Sequence, residues 1–301
     1  MRRFLALLLF FILVGSSLSY AAQNPFLSGG MRKETVQKKI RPAGVFNNAL
    51  DLIARWQKQL RIKLTAFAGD IRKNPYGKSF WLFLLVSFAY GVIHAFGPGH
   101  GKTISCSYFL SRPGNILQGL LMGNLVAFMH VISAVFIVIT IYFILKTTGM
   151  TTFENLSATL QKLSYLILLI LGIFLAFRSI HELKTWKGSV HTEKAPPADF
   201  KSLVAVSLAA GLVPCPGAAI ILSFAIILNI LVAGLIAMVC IALGMGVTTS
   251  TFDLVAITSR RTVLRLFDHD ARVFVLSRGI ISLLGSLTII SVSGLLFLSQ
   301  I

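Results

Sequence analysis

Long apolar runs separated by short polar and basic stretches set the rhythm of the chain, and they lie near residues 80–110, 116–145, 160–180, 201–229, 231–252 and 275–298. Each is long enough for the roughly 20 residues an apolar helix needs to cross a bilayer. Two runs are interrupted. The first contains Gly91-Val92-Ile93-His94-Ala95-Phe96-Gly97-Pro98-Gly99-His100-Gly101-Lys102, and the fourth breaks near Pro214. A proline removes a ladder donor and crowds the preceding turn, and flanking glycines relax the backbone, so neither run forms one straight helix. Broken backbone at membrane depth is tolerated only where it is buried in protein or lines a wet cavity. Ionisable side chains placed there point to a functional site.

Two segments precede the runs. Residues 1–22 have the layout of a secretory signal: Arg2 and Arg3, an apolar stretch from Phe4 to Val14, and a small-x-small site at Ser19-Tyr20-Ala21. This segment reads as a signal peptide or a retained anchor, and either leaves the next segment, 23–78, outside the cytoplasm. Residues 23–78 are basic. Within them Phe46, Leu50, Ile53, Leu60, Leu64, Phe67 and Ile71 recur at helical spacing and predict one amphipathic helix. That helix lies on the outer membrane surface or on the mouth of the bundle, or it is a solvated helix packed on the bundle.

With residues 23–78 outside, Arg112 falls inside, as do the basic stretches 178–201 and 253–278, whereas the turn near 230 carries no charge. The short loops obey the positive-inside rule, and a long translocated segment is exempt from it. The chain divides into a first three-helix half at 79–180, a cytoplasmic loop at 181–200 and a second three-helix half at 201–301. Ala89-Tyr90-Gly91-Val92-Ile93-His94 echoes Ala209-Ala210-Gly211-Leu212-Val213-Pro214 ahead of Cys215-Pro216-Gly217. Three is odd, so two such halves run in opposite directions, the inverted-repeat plan of secondary transporters. The expected fold class is all-α: a polytopic membrane protein with six transmembrane helices in two inverted three-helix repeats after an N-terminal signal sequence.

Composition agrees with this plan. Of 301 residues, 55% are hydrophobic and 13% charged, with a mean hydropathy of +0.81, whereas soluble domains carry about 25% charged residues. The net charge of +18 does not mark a nucleic-acid binder, because the cations sit between spans, where topology signals and lipid headgroup contacts belong. Cys106, Cys215 and Cys240 lie in apolar runs and form no disulfide framework.

The chemistry concentrates at the breaks. His94 and His100 flank the first, and neutral imidazole suits divalent nickel, cobalt, zinc and iron. On a straight helix their spacing would separate them by more than a turn and a half; a break removes that constraint. Cys215 sits between two prolines at the second break, and a thiolate complements imidazole for a borderline-soft ion. The blander reading makes it a small buried hydrophobe. His130, mid-way along the second run, is a ligand, a proton carrier, an outer partner or a structural hydrogen-bonding group. Lys102 repels cations, pairs with a carboxylate or snorkels. Asp253 is either a cytoplasmic entry carboxylate or a loop residue. Cys106 and Cys240 read as packing residues, and His181 and His191 as parts of a solvated loop. No G-x-x-x-x-G-K-[ST] nucleotide loop is present.

His94-Ala95-Phe96-Gly97-Pro98-Gly99-His100-Gly101-Lys102 resembles the H-A-x-G-P-G-H-G-K signature of the NicO nickel/cobalt exporters, and Gly211-Leu212-Val213-Pro214-Cys215-Pro216 resembles their G-L-x-P-C-P signature. His130 matches a histidine that many members carry in the next span. The resemblance covers most of the chain. It implies an inner-membrane, multi-pass efflux permease, not an enzyme, with a periplasmic N-terminal segment and no resident cofactor. Nickel or cobalt would be cargo, held by His94, His100, Cys215 and His130. Its partners would be the metal ion and the bilayer, with room for a homo-oligomer or a periplasmic metal-binding protein. The best-known members have a long histidine-rich cytoplasmic loop; here 181–200 holds two histidines, which leaves zinc or another divalent ion open. A membrane thiol–disulfide carrier is the alternative class. It needs a cysteine at matching positions of both halves, and the first break carries His94 instead.

Overall fold

The computed structural model describes residues 45–75, 77–97, 99–144, 150–184, 200–266 and 271–298, and all regular structure among them is helical. In chain order the helices are α1 (Val45–Lys73), α2 (Lys78–Phe96), α3 (His100–Ser111), α4 (Ile116–Ile144), α5 (Met150–Lys184), α6 (Phe200–Gly211), α7 (Pro216–Ile227), α8 (Leu231–Leu266) and α9 (Ala271–Leu298). Five of these are long and apolar enough to cross a membrane, and the α6–α7 pair, bent by 63°, makes up to six. The segments 1–22 and 185–199, with the expected signal or anchor and most of the cytoplasmic loop, lie outside the described residues.

The run at 80–110 is broken at the motif as expected: it resolves into two helices, with Gly97 and Gly99 both extended between α2 and α3. Two boundaries differ from the sequence expectation. The third span begins earlier, since residues 150–159, expected as loop, are already helical. The fifth span does not end at Asp253. It runs on to Leu266, because no glycine or proline interrupts residues 247–266.

The amphipathic segment is helix α1, and its apolar stripe is buried: Leu64, Ala68 and Ile71 are 0–2% exposed. It packs on α2 and α7. Leu60 and Phe67 lie against the same core.

Helices α4 and α8 form the centre and pack on each other; α2 lies on α8, α6 on α4, and α5 pairs with α9. Small residues let these helices approach closely, as membrane interfaces require when lipid supplies no hydrophobic drive. A Cβ at Gly123 would stand 2.4 Å from the Ser250 nitrogen, and one at Gly244 would stand 2.2 Å from the Phe88 carbonyl oxygen. Hydroxyls and amides finish the seam: Thr249 Oγ1 donates to the Gly123 carbonyl at 2.7 Å, and Asn124 Nδ2 donates to Ser250 Oγ at 3.1 Å. The entry to α4 is closed by a reciprocal cap, with the Gln118 amide donating to Asn115 Oδ1 at 2.7 Å and the Asn115 amide to Gln118 Oε1 at 2.9 Å.

The α2–α8 contact yields a prediction. A Cβ at Gly91 would meet the Ile241 carbonyl oxygen at 2.2 Å, whereas one at Gly69 of α1 has nothing within 4 Å. Gly91→Ala forces two helices apart, and overpacking of this kind costs about 1–3 kcal/mol. Gly69→Ala gains helix propensity, about 0.5–1 kcal/mol. Thermal unfolding in detergent should place the first below wild type and the second at or above it.

Candidate functional site

Helix α2 ends abruptly inside the protein, and its last turn exposes carbonyls that a continuing helix would have satisfied. Each of the last five finds a donor. Thr248 Oγ1 donates to the Val92 carbonyl at 3.3 Å, Gln57 Nε2 to Ile93 at 3.2 Å, and the Gly97 amide to His94 at 3.1 Å. Lys102 Nζ donates to the Ala95 and Phe96 carbonyls at 3.3 and 2.9 Å. Lys102 thus neither snorkels nor pairs with a carboxylate. It caps the C-terminal end of α2, where the helix dipole favours a cation, and its ammonium lies 4.9 Å from the centroid of the Phe252 ring.

The second break is built differently. Helix α6 ends at Gly211 against α4, where a Cβ would stand 2.4 Å from that of Met129 and 3.2 Å from the His130 nitrogen. Ser133 Oγ ties the two helices by donating to the His130 and Gly211 carbonyls at 3.0 and 3.2 Å. The chain then turns, and α7 starts with Pro216 at its first position, where the missing N–H costs nothing. Cys215 is the N-cap. Its sulfur accepts from the Ala218 amide at 3.4 Å, and the positive end of the α7 dipole favours negative charge there.

The two breaks meet. Cys215 Sγ lies 3.7 Å from His94 Nε2, and His130 reaches the same sulfur from α4. One ligand atom each from His94, His130 and Cys215 fall within 4.8 Å of one another. Two donors at ordinary nitrogen– and sulfur–metal distances stand about 3.6 Å apart on a tetrahedral ion, so the closest pair already has the required spacing. Cys215 is fully buried, and His94 Nδ1 is buried with no hydrogen-bond partner among the described residues. The arrangement offers two imidazoles and a thiol, a donor set for borderline-soft divalent ions.

His100 opens α3, but its side chain lies outside the described residues. The structure therefore brings three of the four sequence-derived candidates to one point. His181 is exposed, and His191 lies outside the described residues. Cys106 is buried elsewhere and Cys240 is half-buried; all three cysteines are free.

Tyr90 is a contributor that the sequence pattern alone did not single out. It stacks on His94 with ring centroids 5.6 Å apart, and His94 faces His130 at 6.4 Å. A Cβ at Gly217 would fall 1.9 Å from the Tyr90 hydroxyl oxygen, so the glycine after Pro216 makes room for the ring that sets the His94 imidazole. One helical turn separates Tyr90 from His94, and that spacing was the available signal.

The described residues thus form a bundle of helices, five or six of them long and apolar enough to cross a membrane, broken at a histidine–cysteine cluster. The chain is similar to known proteins of one kind. The NicO model, described as high-affinity nickel-transport protein, matches residues 80–204. A Haemophilus influenzae relative named a putative nickel/cobalt efflux system is 26% identical over 249 residues, covering 71% of this chain and 77% of its own. A Methanocaldococcus jannaschii relative with the same description is 24% identical over 210 residues, covering 69% of this chain and 92% of its own. The Escherichia coli nickel/cobalt efflux system RcnA is 21% identical over 232 residues, 62% of this chain and 82% of its own. No solved structure matches significantly. Over residues 80–204 the chain is similar to the NicO family.

The capping role of Lys102 is testable. Lys102→Met removes the charged donor of the part-buried Ala95 carbonyl and the exposed Phe96 carbonyl, a loss of about 1 kcal/mol. The thermal midpoint in detergent should fall, and Lys102→Arg should recover part of it. An unchanged midpoint for Lys102→Met would mean that the α2 carbonyls are satisfied otherwise.

Proposed function

We propose that this protein is a secondary transporter that carries a divalent transition-metal ion, nickel or cobalt, out of the cytoplasm across the inner membrane. The observation that carries the reading is the convergence of His94, His130 and Cys215, from three separate segments of chain, at two facing helix breaks. The names of the relatives suggest cargo and direction: each is named a nickel/cobalt efflux system, two of them as putative. His100, the remaining donor of the motif, is assigned to the same ion on sequence grounds.

The two halves act as inverted repeats in this proposal. Packing supports it: α2 lies on α8 while its counterpart α6 lies on α4, and the equivalent helices α4 and α8, and α5 and α9, pair with each other. A site between two such halves is exposed alternately as they rock. The N-terminal segment, with α1 laid over α2 and α7, is then periplasmic. The thiol-carrier alternative finds no support, because an imidazole rather than a second thiol stands 3.7 Å from Cys215.

Cells expressing the protein and loaded separately with nickel, cobalt and zinc should hold less of the exported metal, measured by elemental analysis. His94→Ala should return that metal to the level of cells without the protein. A metal that rises instead would reverse the assigned direction.

On purified protein, cobalt should produce a thiolate-to-metal absorption band that disappears in Cys215→Ser and persists in Cys106→Ser. Loss of the Cys215 ligand should weaken cobalt binding by more than the roughly 10- to 100-fold typical of losing an outer partner. A band that survives Cys215→Ser would remove sulfur from the site.

A further inference from the structure

Of the ten acidic residues in the chain, Asp253 alone lies within the candidate membrane-spanning helices. The sequence left it at the end of a span; the structure places it inside α8 with no exposure. It faces α3, where Cys106 Sγ lies 3.9 Å from Oδ1 and Ser105 stands beside it. From α4 it meets Gly119, at which a Cβ would be 3.7 Å from its own. Its second oxygen, Oδ2, is buried with no hydrogen-bond partner among the described residues.

The charged groups of this region are engaged elsewhere. Lys102 of α3 caps the α2 carbonyls. Arg260, further along α8, donates to Ser282 of α9 at 3.4 Å, and Arg261 donates to the Gly114 carbonyl at 2.7 Å. Arg112, at the end of α3, is buried as well. The Asp253 carboxyl has a thiol and a hydroxyl for neighbours, and both can serve a neutral acid.

A carboxylate enclosed with no cation in contact costs several kcal/mol, and such a group takes up a proton instead. The Asp253 helix also packs on α2, where Thr248 Oγ1 donates to the Val92 carbonyl two residues before His94. The ring of Phe252, its neighbour in sequence, packs against that of Phe96 with centroids 5.8 Å apart, and Phe96 is two residues beyond His94. A dication arriving there supplies the positive charge that lets the carboxyl ionise.

Resting on the export reading, we propose that Asp253 carries the proton exchanged for the metal. When a cation loads from the cytoplasm, the Asp253 O–H bond breaks and its proton passes to cytoplasmic water. When the cation leaves on the far side, the carboxylate takes a proton from there, and the carrier returns neutral at this position. At Asp253 each cycle moves one dication out against one proton in, a net export of one positive charge, and no co-reactant beyond water and protons is required. Ser105 and Cys106 position the carboxyl and do not themselves exchange protons.

The test uses the full-length protein in liposomes with cobalt outside and an acidic interior. For the wild type, the gradient should accelerate cobalt entry several-fold, and entry should alkalinise the lumen. Asp253→Asn imitates the protonated acid: it should lose the response to the gradient, to within about twofold of its rate without one, yet still exchange unlabelled for radiolabelled cobalt. An Asn variant that responds to the gradient as wild type does, or a wild type that carries cobalt without any response, overturns the proposal. A wild type that moves no metal overturns the export reading instead. If Asp253→Asn does not fold, infrared difference spectra of the wild type decide the matter. A protonated-carboxyl band in metal-free protein that vanishes on adding cobalt supports the proposal, and the absence of such a band rejects it.

Discussion

The constraint on which this molecule depends is that backbone polar groups inside a bilayer must be satisfied by the protein itself. A helix that stops within the bundle releases its last carbonyls, and here the five from Val92 to Phe96 are each met by a specific donor: Thr248, Gln57, the Gly97 amide and Lys102. Those donors come from α8, from α1, from the turn and from α3, so closing one helix end draws four parts of the chain together. Because they satisfy the carbonyls, the histidine on that last turn is left free to face Cys215. The site is thus what remains once the break has been made tolerable.

The same reasoning explains the glycines. A transporter's helices must pass close enough for hydroxyls and amides to bridge between backbones, and the α4–α8 seam does so through Gly123, Thr249, Asn124 and Ser250. Gly217 has a different task. It keeps a methyl group out of the space filled by the Tyr90 hydroxyl, and through Tyr90 it sets the plane of the His94 ring. A stripe of small residues would have suggested only tight packing; the contact with Tyr90 ties one of them to the site.

The breaks were legible in the sequence, because proline and glycine act locally and an apolar run that contains them cannot form a straight helix. Their meeting was legible too, once the two halves were seen to echo each other around His94 and Cys215. The role of Lys102 was not. It reaches back six and seven residues to carbonyls that a straight helix would have turned away, so its partner exists only after the chain has bent. Asp253 was misplaced for the opposite reason. The polar run before it and the arginines after it resemble the end of a span, but without glycine or proline the helix continued and carried the carboxyl inside. The apolar face of α1 could be read residue by residue, but amphipathicity names a face and not a partner, and the packing on α2 and α7 emerged only from the structure.

The two breaks also divide the electrostatic work. In the proposed cation pathway a lysine looks self-defeating until the helix ends are counted. Helix α2 presents its C-terminus at the first break, where the dipole is negative, and α7 presents its N-terminus at the second, where it is positive. Lys102 occupies the negative end and donates to the bare carbonyls there. Cys215 occupies the positive end and accepts from the Ala218 amide. Each terminus therefore meets a group of complementary character, and the field that remains at the cluster comes chiefly from the sulfur and the two imidazoles. Without Lys102 the α2 carbonyls would be an additional set of oxygen donors, attractive to hard cations that dehydrate reluctantly and favour oxygen. Capping them removes that competitor and leaves nitrogen and sulfur, the donors that favour transition metals over magnesium or calcium.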